Sequence, residues 1–204
     1  MPEVDARFLI LRTRTRDTNL RALRQALRRQ REAVAAANGH LGREWDNDLA
    51  SLILRLNLTA ATQAGNIVAR RFLTRFAADV MEQMLEENAQ ITAENINTAT
   101  RERIHILGYI EAYARGDIQA PMWARTMAGM SVNFGAREGA RQGGARWKIW
   151  QVNSGNPRSS HAALSGERVR IEDTFSNGLR WPGDSTAGDA EDRANCECSM
   201  VLSD

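Results

Sequence analysis

Gly143-Gly144-Ala145-Arg146-Trp147-Lys148-Ile149-Trp150-Gln151-Val152 divides the chain into two kinds of sequence. Paired glycines stop a helix, and Trp147 to Val152 reads as a short strand. Upstream of Gly144 the apolar residues recur at helical spacing. Downstream the chain turns to short strand-like runs separated by turns. The expected fold class is therefore α+β. A helical region, residues 1–144, precedes a small domain, residues 145–204, built on a few antiparallel strands.

Working downstream, Asn153-Ser154-Gly155-Asn156-Pro157 is turn chemistry. Arg158 to Leu164 suits one short helical turn. Glu167 to Ile171 alternates, with Val169 and Ile171 on one face. Asn177-Gly178 is a two-residue hairpin signal, followed by Leu179 and Trp181. Pro182 to Asn195 is polar and reads as a loop, and Cys196 to Leu202 as the closing strand.

Working upstream, Leu20, Leu23, Leu27 and Val34 mark a first helix. Asp17, Thr18 or Asn19 is its expected cap and Asn38-Gly39 its stop. Leu41, Trp45, Leu49, Leu52, Ile53 and Leu56 mark a second. Thr59 is expected to cap a third, through Ile67, Val68, Phe72, Phe76, Val80, Met84 and Leu85. Thr92 opens a fourth, with Ile96, Ile104, Leu107 and Ile110, ended by Arg115-Gly116-Asp117. Pro121 suits the first turn of a fifth. Its Gly129, Gly135, Ala136, Gly139 and Ala140 leave room for another backbone to approach.

The sequence has 204 residues and a formal net charge of +2, so it is no polycation. No apolar run reaches the roughly 20 residues of a membrane span. Met1 to Leu11 lacks the apolar core of a signal peptide, so a cytoplasmic product is expected. The two cysteines, Cys196 and Cys198, are one residue apart, where a disulfide would be badly strained. Reduced thiols or a metal site remain. Residues 7–31 carry nine arginines against Asp17 alone. A DNA-contacting arm is one reading of that segment, with guanidinium groups on phosphates. A solvated helix face is the other and is preferred. Arg21, Arg24, Arg28 and Arg31 form one stripe beside the leucines, and Phe8 is the only aromatic residue there.

The downstream region also holds an ordered constellation. It runs Lys148-x-Trp150, Arg158-x-x-His161-x-x-Leu164-x-Gly166, Phe175, Pro182-Gly183 and Asn195-Cys196-x-Cys198. In order and spacing, over about residues 146–202, this set resembles the phage Mu F-like head morphogenesis family. Residues 121–146 resemble more loosely the helix that precedes that domain. Two positions depart from the family's commonest pattern. Asn156-Pro157 stands where an acidic residue often precedes the arginine, and Glu197 stands where a basic residue often separates the cysteines. Both departures count against a phosphate-binding role for the domain.

The resemblance implies a minor head protein acting in procapsid assembly, found in the virion or procapsid and assembled in the cytoplasm of the bacterial host. Portal and head proteins are the implied partners, with no membrane, and no known reaction is implied. Lys148, Trp150, Arg158, His161, Asn195, Cys196 and Cys198 are then expected to hold the domain together. A delivery module of a phage-derived effector is an alternative, which a linked toxin domain would mark; none is expected in 204 residues.

The chemistry of the constellation has competing readings. Residues two apart on a strand share a face, so both sulfurs could close on one ion with His161. Zinc takes four ligands, commonly Cys and His, and Asp184 or Asp192 could supply the fourth. Small buried thiols and a hydrogen-bonded histidine are the plainer and preferred expectation. A Ser159 or Ser160 nucleophile with His161 as base lacks the strained glycine elbow. A metal-dependent hydrolase, with Glu167 or Glu197 as its acid-base group, is the remaining enzymatic option; no enzyme is expected.

Overall fold

A computed structural model describes residues 6–187 and 190–204. The sequence readings of residues 1–5, at the start of Met1 to Leu11, and of residues 188 and 189, inside the expected loop, lie outside the described residues. The fold is α+β: four long helices precede a small three-stranded antiparallel sheet. The helices are α1 (Ala6–Ala36), α2 (Glu44–Arg71), α3 (Glu82–Leu107) and α4 (Tyr109–Gln142). The strands are β1 (Trp147–Gln151), β2 (Arg168–Arg170) and β3 (Ser199–Ser203), with β1 in the centre. Two short helices, α5 (Ser159–Ala163) and α6 (Ala190–Arg193), lie in the connections. None of the described helices is long and apolar enough to cross a membrane.

The expected third helix is broken after Arg71, where Leu73 has φ +54°, and the helix boundaries differ from the sequence expectation in four further places. First, α1 runs through Asp17 and Asn19 to Ala6, because Phe8, Leu11, Thr15, Asn19 and Leu23 bury one face at helical spacing. Second, α2 passes through Thr59, whose hydroxyl donates to the Arg55 carbonyl 2.8 Å away instead of capping a new helix. Third, Thr92 lies inside α3, whose buried Leu85, Asn88, Ala89, Ala93 and Ile96 continue one stripe. Fourth, the stop falls at Gly108, with φ +79° and ψ 160°, and not at Gly116. Pro121 consequently sits in the interior of α4. Its ring removes the amide that would bond the Asp117 carbonyl, and Asp117 is exposed to water. The stop at Asn38-Gly39, both with positive φ, falls where expected.

The centre of the molecule is the second half of α4, where every residue from Met127 to Ala140 is buried. Small side chains make this possible. A Cβ on Gly135 would stand 2.0 Å from the Ala61 carbonyl oxygen of α2, and one on Gly139 would stand 2.4 Å from that of Gly65. Helices α1, α2 and α3 pack around α4 through Leu23, Leu49, Ile53, Ala89, Ile96 and Met127. Buried amides cross-link them: Gln30 donates to Asn97, and Asn97 to Asp46, which also receives Arg101.

The sheet closes on the same core. One continuous cluster joins Leu11, Ala64, Val68, Met130 and Phe134 of the helices to Trp150, Leu164, Phe175, Trp181 and Met200. The transition from helix to strand falls at Gly143-Gly144, where Gly144 has φ +83°. Asn177-Gly178 forms a tight turn, in which the Gly178 amide donates to the Phe175 carbonyl, but no strands flank it. Phe175 and Leu179 turn inward there instead of extending a ladder.

Candidate metal centre

Strand β1 sets the geometry of the site. Lys148 and Trp150 share its inner face, and both are fully buried. On the outer face, Arg168 and Arg170 of β2 cover the Trp147 ring at 4.1 and 5.2 Å. The Lys148 ammonium donates to the carbonyls of Ile171 and Asp173 and so clamps the turn after β2. Burial and the nearby Arg137 charge pull its pKa down from the usual lysine value to about 7. The Trp150 ring meets Phe175 edge-on at 5.0 Å and His161 at 5.6 Å.

His161 lies on α5, directly under that tryptophan, and is 3 % exposed. Its Nε2 is 3.0 Å from the Asp192 carbonyl, which can only accept, so Nε2 carries the proton in the neutral ring. Nδ1 then points its lone pair at two sulfurs, Cys198 Sγ at 3.5 Å and Cys196 Sγ at 3.7 Å. All three candidate ligand atoms lie within 4.8 Å of one another, in a group able to hold a metal ion. Bond lengths of about 2.3 Å to sulfur and about 2.0 Å to nitrogen in a tetrahedron require an N···S edge of about 3.6 Å. The donor set and both N···S edges therefore fit zinc. An imidazole fixed through its other nitrogen by a backbone carbonyl is the usual outer support of a metal histidine.

The cysteines precede β3 instead of lying within it. Asn195, with φ +56°, turns the chain into them. That turn is tied to α4 twice: the Asn195 amide donates to Thr126 Oγ1, and Arg125 donates to Asn195 Oδ1. Arg158 holds the Ala194 carbonyl, and Arg12 of α1 reaches the Glu197 and Cys198 carbonyls. The two thiols titrate as a pair. Cys198 is the more acidic, chiefly through its hydrogen bond with Cys196, with help from the Trp150 indole and the charges of Arg12 and Arg158. The same pairing, with burial, pushes Cys196 up, while His161 is raised mainly by its bond to Cys196.

The remaining candidates are engaged elsewhere. Asp184 is fully buried but accepts from Arg180 and Thr186, so it is not a ligand of this group. Asp192 stands on the Nε2 side of the imidazole, with its carboxylate 3.7 Å from that atom, and receives Ser160 Oγ. Ser160 is thus turned towards Asp192 and not activated by His161. Glu167 accepts from the Ser176 amide and hydroxyl, and Glu197 pairs with Arg125 at 3.6 Å. A cleft of about 300 Å³ lies beside the cysteines, lined by Arg125, Arg158 and Asn156 among others.

Two residues that sequence reasoning missed hold the segment to the helices. Asn133 of α4 donates to the carbonyls of Pro182 and Cys198, and Arg137, one turn later, donates to the Ile171 carbonyl and to Glu172. Their signal was a pair of polar side chains four apart in the run from Met127 to Gly139, where all the others but Ser131 and Glu138 are small or apolar. Comparison with protein-family models, with curated proteins and with solved structures gives no match.

Proposed function

We propose that the chain is a minor head protein of a tailed bacteriophage, acting in procapsid assembly at the portal vertex, and that His161, Cys196 and Cys198 hold a structural zinc ion in it. One observation supports the reading best. The residues of the ordered motif are spent on architecture: Trp150, Arg158 and Asn195 gather about a buried His/Cys/Cys group, and Lys148 clamps the turn after β2 beside them. The ion's binding energy becomes folding energy for a segment with only thirteen strand residues.

A metal-dependent hydrolase is the second reading, and the cleft is what favours it. Three protein donors leave a fourth position, and catalytic zinc keeps one open. Glu197, the carboxylate among the described residues that line that cleft, is paired with Arg125, which leaves no unengaged acid-base group among those residues, and the structural role is preferred.

The test is proteomic and elemental. Mass spectrometry of purified procapsids and virions is expected to find the chain well below major-capsid abundance. Absence from both particles would overturn the head assignment. Protein purified without chelator is expected to carry one zinc per chain, and a metal-free preparation with unaltered stability would remove the ion.

A further inference from the structure

We propose that the groove between α1 and α2 is a docking site for an acidic amphipathic helix of a partner protein. The two helices form a hairpin whose members lie mainly against α4 and less against each other. Between them opens a groove of about 1030 Å³. Apolar side chains from both helices, Ile10, Leu56 and Ile67, line it among threonines and the amides of Gln63 and Asn66, and Ile10 is 52 % exposed. Arg14 stands on the α1 side and Arg55 and Arg70 on the α2 side, and among the described residues no acidic side chain lines it. Among the described residues none of these three guanidinium groups has a side-chain ion pair.

A second observation points to a missing partner. Asn19 lines the groove and is 1 % exposed, yet neither its Nδ2 nor its Oδ1 has a hydrogen-bond partner. A buried unpaired amide costs free energy that an incoming polar group can recover.

Shape and chemistry select the occupant. Arg55 and Arg70 are fifteen residues apart on α2, which spans about 22 Å, or about four helical turns. Exposed apolar side chains flanked by unpaired arginines fit a helix with an apolar stripe bordered by Asp and Glu. Nucleic acid fits it less well, because phosphates gain nothing from the apolar side chains and, among the described residues, no aromatic ring lines the groove to stack a base.

The probe is a synthetic peptide of about fifteen residues, about four turns, with leucines at helical spacing and glutamates beside them. Binding to the full chain is followed by fluorescence anisotropy, and helix formation by circular dichroism. A scrambled peptide of the same composition is expected to bind at least about tenfold more weakly. The double variant R55E/R70E, and separately Ile10→Ser, are each expected to weaken binding by about tenfold or more. All three residues are exposed, so the fold is expected to survive; Arg14→Glu serves if either variant melts early. Equal binding of the scrambled peptide would reduce the groove to unspecific charge. A DNA duplex that binds more tightly than the peptide and ignores Ile10→Ser would assign the arginines to phosphates. No binding of the peptide, or binding that ignores all three variants, would also overturn the proposal.

Discussion

Lys148 is the only lysine in the chain, and it is buried. An ammonium with a folded pKa of about 7, against about 10.5 in the unfolded chain, makes a signed prediction. Between those values the unfolded state binds the extra proton, so stability rises with pH from about 7 upward, by at most about 1.4 kcal/mol per pH unit. Below pH 7 both states are protonated and this contribution is flat. Chemical denaturation between about pH 7 and 9 is expected to show the rise, and Lys148→Met to flatten it; an unchanged slope in the variant would assign the proton elsewhere. The window stops short of Tyr113, whose phenol burial raises to about 12 and which acts in the opposite direction. The metal group makes a second prediction at this scale. His161→Ala and Cys198→Ser are each expected to abolish the thiolate-to-cobalt charge-transfer band of the Co(II)-substituted protein. Each is also expected to lower Tm by about 10 °C. Retention of the band in either variant would remove that residue from the ligand set. The three residues of the candidate group were legible because two cysteines one residue apart cannot pair with each other, which left the metal and the plain core as readings. The tautomer was not legible, because it depends on the Asp192 carbonyl, brought in by a segment thirty-one residues away.

At the level of the helices, glycine has opposite meanings at different places on α4. Gly139 lets the α2 backbone through, and a methyl there would stand 2.4 Å from a carbonyl oxygen and 2.8 Å from the Gly65 Cα. Backbone atoms on both sides cannot yield as a flexible side chain would, so Gly139→Ala is expected to cost about 3 kcal/mol or more. Gly116, in the same helix, has nothing within 4 Å of the added atom. Gly116→Ala is expected to stabilise by about 0.5–1 kcal/mol through helix propensity alone. Urea denaturation of the two variants checks the pair, and similar effects of the same sign would refute the close-packing argument. The contrast also explains which boundaries could be read. Gly129, Gly135 and Gly139 were recognisable as a close-approach surface by their small neighbours. Gly116 carried the same letter and invited a helix stop, but the neighbouring Ala112, Tyr113 and Ala120 are buried in one stripe that carries the helix across it. Thr59 was misleading for a related reason: a threonine serves as a cap or bonds back to the preceding turn, and only the packed partners of α2 decide between them.

For the molecule as a whole, the change of sequence character at Gly144 does not interrupt the core. Phe134 of α4 packs on Trp181 at 4.8 Å, and the Gly183 backbone approaches Met130 so closely that an added Cβ would stand 3.3 Å from its Cα. Asn133 and Arg137 satisfy three carbonyls of the long connection between β2 and β3, at Ile171, Pro182 and Cys198. The strand segment therefore completes the burial of the helix that precedes it, and the helix satisfies polar groups that so small a sheet leaves open. This coupling was invisible in a sequence that switches so sharply from helical spacing to turns. The switch records local conformation, whereas cooperativity depends on area shared between distant segments. Heating is accordingly expected to unfold the chain in one transition. Helix loss followed by far-ultraviolet circular dichroism and the exposure of Trp150 and Trp181 followed by fluorescence should coincide in Tm. With the proposed zinc bound, its removal by chelator is expected to shift both curves together. A fragment of residues 1–144 would present the continuous buried run Met127 to Ala140 to water along one side, and it is expected to show molten, dye-binding behaviour instead of a cooperative melt. Two separated transitions in the full chain, or a sharp melt of the fragment at the full-length Tm, would show that the helices carry a core of their own and that the sheet merely rests upon it.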